Sequence, residues 1–359
     1  MDSASAQASE VLGLSARAIA QWTVGAYIER SPMVAARLGS TSRLAIVAEV
    51  EARLAHLAAA LVLGKPARYA SHVEWSLRAH LARGASREEF ALSLACMREV
   101  LAQELSDRAF ASLETYLAAG EAVVDALPSA DSSGADRDAE EGPFADLAAR
   151  YMLALLEGDR RGASRLVSEA HRNGTTIEDL YEHVFMRSQA RIGSMWHAGE
   201  VSIPEEHFCT ASTLLIMSQF YERIAAAPPT GRSVLVATVQ GEMHEMGARM
   251  VADFFEMSGW RSVFLGQSTP ASDIRGAAID FGVDLIALSA STLVRMPDLK
   301  TTIATIREDA RTRDIPILVG GRAFASEDEC TRVGADAMAS SGREAVSVGE
   351  RLVASRGCS

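Results

Sequence analysis

At 359 residues the chain is longer than one hydrophobic core usually supports, so two or three domains are expected. Apolar residues make up 48%, aromatic residues 6% and charged residues 23%, and no run approaches the roughly 20 uncharged residues of a membrane span, which argues against a membrane protein. The formal charge of −12 repels phosphate backbones and no Lys/Arg-rich run or helix-turn-helix pattern offsets it, so direct nucleic-acid binding is not expected.

The N-terminus, residues 1–10, lacks the basic start and apolar stretch of an export signal, and a cytoplasmic location is expected. Residues 10–127 read as helical throughout. Val47, Val50, Leu54, Leu57 and Leu61 fall on one stripe, and Phe110, Leu113, Leu117 and Val124 on another. Gly64-Lys65-Pro66 separates two helices, and Ser86 with Glu89 has the spacing of a capping box. An all-helical domain over 1–127 follows. Residues 128–143 set five carboxylates (Asp131, Asp136, Asp138, Glu140, Glu141) against Arg137 among Pro, Gly and Ser, the composition of a flexible acidic linker.

Helical periodicity returns over 145–157, 161–172, 177–197 and 204–226, punctuated by Gly158, Asn173-Gly174 and Ala198-Gly199. Four helices with short turns predict a four-helix bundle cap over 144–228. After Pro228-Pro229 the period changes. Short apolar runs at 233–238, 262–265, 284–289 and 315–319 are each followed by about 10 to 15 helical residues. This is the pattern of a flavodoxin-like (Rossmann-type) domain over 229–359, a doubly wound parallel sheet that binds ligands at the carboxyl ends of its strands. Cys96, Cys209, Cys330 and Cys358 are scattered without a Cys-x-x-Cys pair, so reduced thiols are expected rather than disulfides or a zinc site.

The chemistry-bearing residues stand at those carboxyl ends. Glu242-Met243-His244-Glu245-Met246-Gly247 follows the first strand, Ser289-Ala290-Ser291 ends the third, and Gly320-Gly321 follows the fourth. A cobalt corrin leaves two axial positions open, and a neutral imidazole is a good ligand for one of them. His244 can project toward such a ring. Glu242, two residues earlier, is placed to accept the other imidazole N–H and set its tautomer. Gly247 allows backbone and cofactor to approach, and the small residues Ser289, Ser291, Gly320 and Gly321 leave a slot for the nucleotide tail. Taken singly these are ordinary helix and turn residues. Their joint spacing points to a cobalamin-binding protein with His244 as the lower axial ligand of cobalt.

Upstream, Trp196-His197 precedes Glu206-His207, with nine residues between the Trp and the Glu. With this motif, residues 144–345 resemble the CarH-type cobalamin photoreceptors. The resemblance implies adenosylcobalamin bound base-off, a 5′-deoxyadenosyl group housed under the bundle, and a cobalt–carbon bond that light breaks. It places Trp196 against the adenosyl group, Glu206 and His207 around its pocket, and His197 where a histidine captures cobalt after the group has gone. The function implied is light sensing through a change of conformation or oligomeric state. Because no output domain is recognisable, the signal is expected to pass through a homo-oligomer or an unidentified effector protein. No hydrolytic triad, phosphate loop or clustered metal ligands point to an enzyme. Glu242 stands where corrinoid methyltransferases generally show Asp, and in this resembles the light-sensing branch. Ser291 stands where the general motif often has Leu, which bears on the tail pocket. The alternative is a corrinoid methyl-carrier protein of a methyltransferase system, which needs only a small cavity above cobalt.

CarH-like repressors carry a winged helix before the cap, and residues 1–127 do not. The pairing of a helical domain with a cobalamin module is similar in architecture to the photocobilins, which also hold biliverdin. A bilin there implies roles for His56, His72, Trp75, Arg78 and His80 at a cleft, with Cys96 as a covalent anchor. A globin-like haem site and an empty dimerisation domain are the alternatives. His171 and His183, lone histidines on helices, receive no role.

Overall fold

The computed structural model describes residues 3–32, 34, 40–82, 85–126 and 142–356; residues 127–141, which hold most of the expected linker, and Cys358 lie outside the described residues. The chain divides into two units, Met1–Ala130 and Asp131–Ser359.

In the first unit α1 (Ser3–Arg30), α2 (Ser40–Leu63), α3 (Pro66–Ala82), α4 (Arg87–Glu104), α5 (Asp107–Ala111) and α6 (Glu114–Ala126) follow in order. The stripe Val47, Val50, Leu54, Leu57 and Leu61 is wholly buried, in one core with Ile19 and Val24 of α1 and Val73 and Leu77 of α3. α1 lies along α2, and α3 along α6. Pro66 opens α3, where its missing N–H costs no helical bond. Ser86 and Glu89 close the capping box on α4. The second stripe does not run down one helix. Ser112 donates its hydroxyl to the Ala109 carbonyl at 2.7 Å and the chain turns there, so Phe110 belongs to α5 and is half-buried while Leu117 and Val124 are buried on α6.

The second unit begins with the bundle: α7 (Ala145–Leu156), α8 (Arg160–Arg172), α9 (177–197) and α10 (Ile203–Ser218). Asp159 and Thr176 accept backbone N–H bonds that start α8 and α9. α9 is not regular. It begins over Ile177–Asp179, widens to a π-helical turn over Leu180–Phe185 and resumes over Met186–His197. Within the wide turn Leu180, Tyr181, Val184 and Phe185 are all buried. Residues 204–226, read as one helix, are two: Phe220 turns into the core at 2% exposure and separates α10 from α11 (Tyr221–Ile224).

β1 (Ser233–Thr238), β2 (Arg261–Phe264), β3 (Leu285–Ser289), β4 (Ile317–Gly320) and β5 (Ala337–Ala339) form one sheet in the order β2-β1-β3-β4-β5, with every pair parallel. β1 is buried along its whole length, as a strand covered on both faces must be. α12 (Met246–Met257) packs on α16 (Gly342–Arg356), and α13 (Ala271–Phe281) on α14 (Met296–Glu308). α15 (Glu327–Val333) joins β4 to β5. The fourth strand begins two residues later than its apolar run, because Pro316 has no N–H to give the ladder. Met250 and Phe254 of α12 enter the core of the bundle, so cap and sheet share apolar packing. Among the described residues no helix is long and apolar enough to cross a membrane.

Candidate functional site

The chain runs from β1 to β2 on one side and returns to β3 on the other, which puts the topological switch point between β1 and β3. The loops leaving these two strands carry the site. Thr238, the last residue of β1, donates its hydroxyl to the Glu242 carbonyl at 3.0 Å and accepts the Ser268 N–H at 2.8 Å. Ser268 holds a left-handed backbone at φ +53 and accepts the Gly241 N–H at 3.0 Å. The loop is thereby braced before it reaches Glu242.

Glu242 is 1% exposed. Its Oε1 accepts the His244 backbone N–H at 3.0 Å and the His244 Nδ1–H at 2.5 Å. Its Oε2 accepts the N–H groups of Ser291 at 2.8 Å and Thr292 at 3.2 Å, which ties the β1 loop to the β3 loop. Burial alone raises this carboxyl, but the bonds from His244 and Ser291 outweigh it and hold it at about 2. A carboxylate can only accept, so the proton of this bond sits on Nδ1 and Nε2 is the ring nitrogen left to face a metal. The ring is 58% exposed at the carboxyl end of the sheet. A lone, pre-oriented imidazole suits a metal whose other positions are filled by a macrocycle.

The remaining residues of the motif serve the backbone as well as space. A Cβ on Gly321, at φ +104, would stand 2.2 Å from the Ala290 carbonyl oxygen, and one on Gly320 would stand 2.9 Å from that of Ala339. Ser289 ends β3 opposite Gly320 on one side and Thr238 on the other. Ser291 acts through its amide on Glu242, a contact that no side-chain pattern reveals. Gly247, in the first turn of α12, has open space where a side chain would stand. A groove of about 270 Å³ beside this loop is lined by Leu214, Leu215 and Ser218 of α10, by Glu245 and Arg249, and by Phe264. Bundle and strand ends thus face one another across the groove next to His244.

At the end of α9 Trp196 is 42% exposed, so the indole is not part of the bundle core. His197 closes the same helix, and its side chain lies outside the described residues. On the first turns of α10 Glu206 accepts the Thr210 hydroxyl at 2.8 Å and pairs with His207 Nδ1 at 2.7 Å, while the His207 ring is 74% exposed. His171 bonds the Thr175 carbonyl at 2.9 Å and His183 stacks on Phe144, which accounts for both structurally.

Residues 232–348 match the family model of a B12 binding domain, and residues 147–220 match a second B12 binding domain model. This part of the chain is a corrinoid-binding module. It is 22% identical over 204 residues to a corrinoid protein of Desulfitobacterium hafniense, covering 56% of this chain and 94% of the relative. It is 27% identical over 203 residues to the HTH-type transcriptional repressor CarH of Myxococcus xanthus, covering 56% of this chain and 66% of the repressor. With the repressor CarA of the same organism the identity is 31% over 123 residues, 34% of this chain and 41% of CarA. The matches therefore span two thirds or less of either repressor. Among solved structures, the monomethylamine corrinoid protein of Methanosarcina barkeri superposes with a TM-score of 0.52 at 19% identity, over 58% of this chain and all of that one, which establishes the shared fold.

The first unit holds a second concentration of functional groups. Arg53, 2% exposed, donates Nη1 to Ser93 Oγ at 3.0 Å and lies 5.0 Å from the Phe90 ring centre. Arg53 Nε, Tyr69 OH, His72 Nε2 and His80 Nε2 are buried without a hydrogen-bond partner among the described residues. His72 stacks on His56 at 3.5 Å, and burial followed by the neighbouring His56 and Arg53 charges depresses it to about 3. Of this group the histidines were legible in the sequence, and Arg53 and Tyr69 were not. The available signal was phase: Arg53 lies three residues after Val50 and four before Leu57, on the buried stripe. Cys96, expected as a covalent anchor, sits instead in a separate small cluster with Tyr27 and Val34, and burial raises its thiol, which disfavours the nucleophilic thiolate. Arg78 is paired with Glu74 at 2.7 Å, and Trp75 is 45% exposed beside His72.

Proposed function

We propose that the protein is a light sensor that binds adenosylcobalamin, with His244 as the lower axial ligand and Trp196 against the upper adenosyl group. When bound, this cofactor supplies a cobalt–carbon bond that light cleaves. The observation that carries the reading is the placement of Trp196. A large indole stands half-exposed at the end of α9, at the same end of the bundle as the Glu206–His207 pair, a position suited to an aromatic group that roofs a bulky ligand. Glu206 is held by Thr210 and in turn orients His207, so the pair is arranged in advance. We assign His197 to cobalt in the illuminated state. Repacking of the cap then changes the association of the chain with itself or with an effector protein, by binding and not by catalysis.

Likeness to corrinoid proteins over 94% of one relative's length favours a second reading, a corrinoid methyl carrier. For the first unit we propose biliverdin as a second chromophore, with Arg53 toward its carboxylates and Tyr69, His72 and His80 toward its polar pyrrolic atoms; their unpartnered buried groups support this.

The test is to load the full chain with adenosylcobalamin in darkness, illuminate it, and record absorption and elution volume together. Loss of the alkyl-cobalt bands with a change of size is expected. A chain that keeps its size, loads with methyl and donates it to a thiol is the carrier. Addition of biliverdin is expected to give a stable far-red band in wild type and not in Arg53→Met; a haem-like band with iron porphyrin alone would overturn the bilin assignment.

A further inference from the structure

The loop after β3 carries a cation that the motif does not include. Arg295 ends a 3₁₀ turn over Leu293–Arg295, four residues past Ser291, and its side chain is two-thirds covered at 33% exposure. The guanidinium crosses the switch point and lies on Gly241, at φ +77: a Cβ there would stand 2.3 Å from Nη1 and 2.9 Å from Cζ, so a side chain at this position would have to displace the arginine from its present place. Arg295 thus closes the crevice from the β3 side at the residue preceding Glu242.

The guanidinium is not used up. Nη1 donates to Asp298 at 3.2 Å, and its other N–H groups have no partner among the described residues. Other arginines near the strand ends are placed differently. Arg249 is engaged by Asp253 at 3.1 Å, and Arg322 is exposed after β4, one strand further from the switch point.

Cobalamin is lined with neutral amides and carries one permanently anionic group, the phosphodiester of its nucleotide loop. An arginine braced across the crevice of a chain whose formal charge is −12 has that group as its one charged counterpart in the cofactor. We infer that Arg295 binds the phosphodiester of the nucleotide loop and makes the module selective for complete corrinoids over those that lack it. This rests on the corrinoid-binding reading and adds to it a residue that sets specificity.

Three corrinoids separate the contributions: hydroxocobalamin, cobinamide phosphate, which keeps the phosphate but not the base, and cobinamide, which lacks both. Each is titrated by absorption into the full chain and into Arg295→Met and Arg295→Gln. The expected result is that both variants bind hydroxocobalamin and cobinamide phosphate roughly tenfold or more weakly, as the loss of a charge-assisted contact predicts, with cobinamide unchanged. Arg295→Gln keeps a donor for Asp298, so a loss in Arg295→Met that the Gln variant does not share marks a loop defect and overturns the assignment. Equal weakening of all three corrinoids, or none, overturns it also. A wild-type chain that refuses every corrinoid would instead sink the reading on which the inference rests.

Discussion

Glu242 is a carboxylate with no spare lone pair, since His244 occupies one oxygen and the amides of Ser291 and Thr292 the other. Glu242→Gln puts an N–H where only acceptors fit, so one set of donors loses its partner inside a buried site. A loss of about 1–3 kcal/mol in stability is expected from urea denaturation, with hydroxocobalamin affinity reduced about 10–100-fold in absorption titration. Unchanged affinity would show that the carboxylate does not orient the imidazole. The Glu-x-His pair was legible because its chemistry lies in side chains at fixed spacing. The amides that complete it were not, because every non-proline residue carries one. A second prediction concerns His72. It titrates near 6.5 when unfolded and at about 3 in the fold, a depression caused by burial first. A depressed group contributes its stability above the unfolded value and loses it as pH falls from 6.5 toward 3, so lowering the pH from 7.5 to 5 is expected to cost the first unit about 1–2 kcal/mol. His72→Phe should flatten that slope in denaturation curves at the two pH values; an unchanged slope would place the protonation elsewhere.

One turn of α9 holds the cap against the sheet. Tyr181 donates its hydroxyl to Asp253 at 2.8 Å, Asp253 also accepts Arg249, and Arg343 of α16 bridges Asp179 at 2.5 Å and Glu182 at 2.9 Å. The two attachments differ in burial and hence in expected weight. Tyr181 and Asp253 are both buried, so Tyr181→Phe is expected to cost about 1–3 kcal/mol. The Arg343 pairs are half-exposed, and Arg343→Ala is expected to cost about 0.2–1 kcal/mol. Denaturation of both variants checks the order, and a larger cost for Arg343→Ala would reverse the assignment. The π turn that sets these residues side by side was not legible, because a window tuned to 3.6 residues reads straight through one wide turn. β5 escaped for a different reason: three residues, Ala337-Met338-Ala339, with no β-branched side chain and a single neighbouring strand, leave no apolar run to find. The central strands, Ser233–Thr238 and Leu285–Ser289, were plain, since burial on both faces demands the unbroken apolar runs that mark them.

The chain divides into two units, with the corrinoid motif, its bundle and its sheet all in the second. A ligand stabilises the cooperative unit that contains its site, and by RT ln(1 + [L]/Kd) a concentration of one hundred times Kd contributes about 2.7 kcal/mol. If the units unfold independently, calorimetry of the full chain resolves two transitions, and hydroxocobalamin raises only one. For a unit of this size each 1 kcal/mol shifts the midpoint by about 2–4 °C, so such a stabilisation corresponds to a shift of about 5–11 °C. A chain beginning at residue 142 is expected to fold, to show the transition that cobalamin raises, and to bind hydroxocobalamin with the affinity of the full chain, because Glu242, His244 and the groove lined by Leu214, Leu215 and Arg249 all lie beyond that point. The shortened chain also separates two roles for residues 1–126. Should hydroxocobalamin raise both transitions of the full chain together, or the shortened chain bind it markedly more weakly, the first unit contributes to corrinoid binding, and the Arg53–His72 cluster must be considered with the cobalamin site and not apart from it.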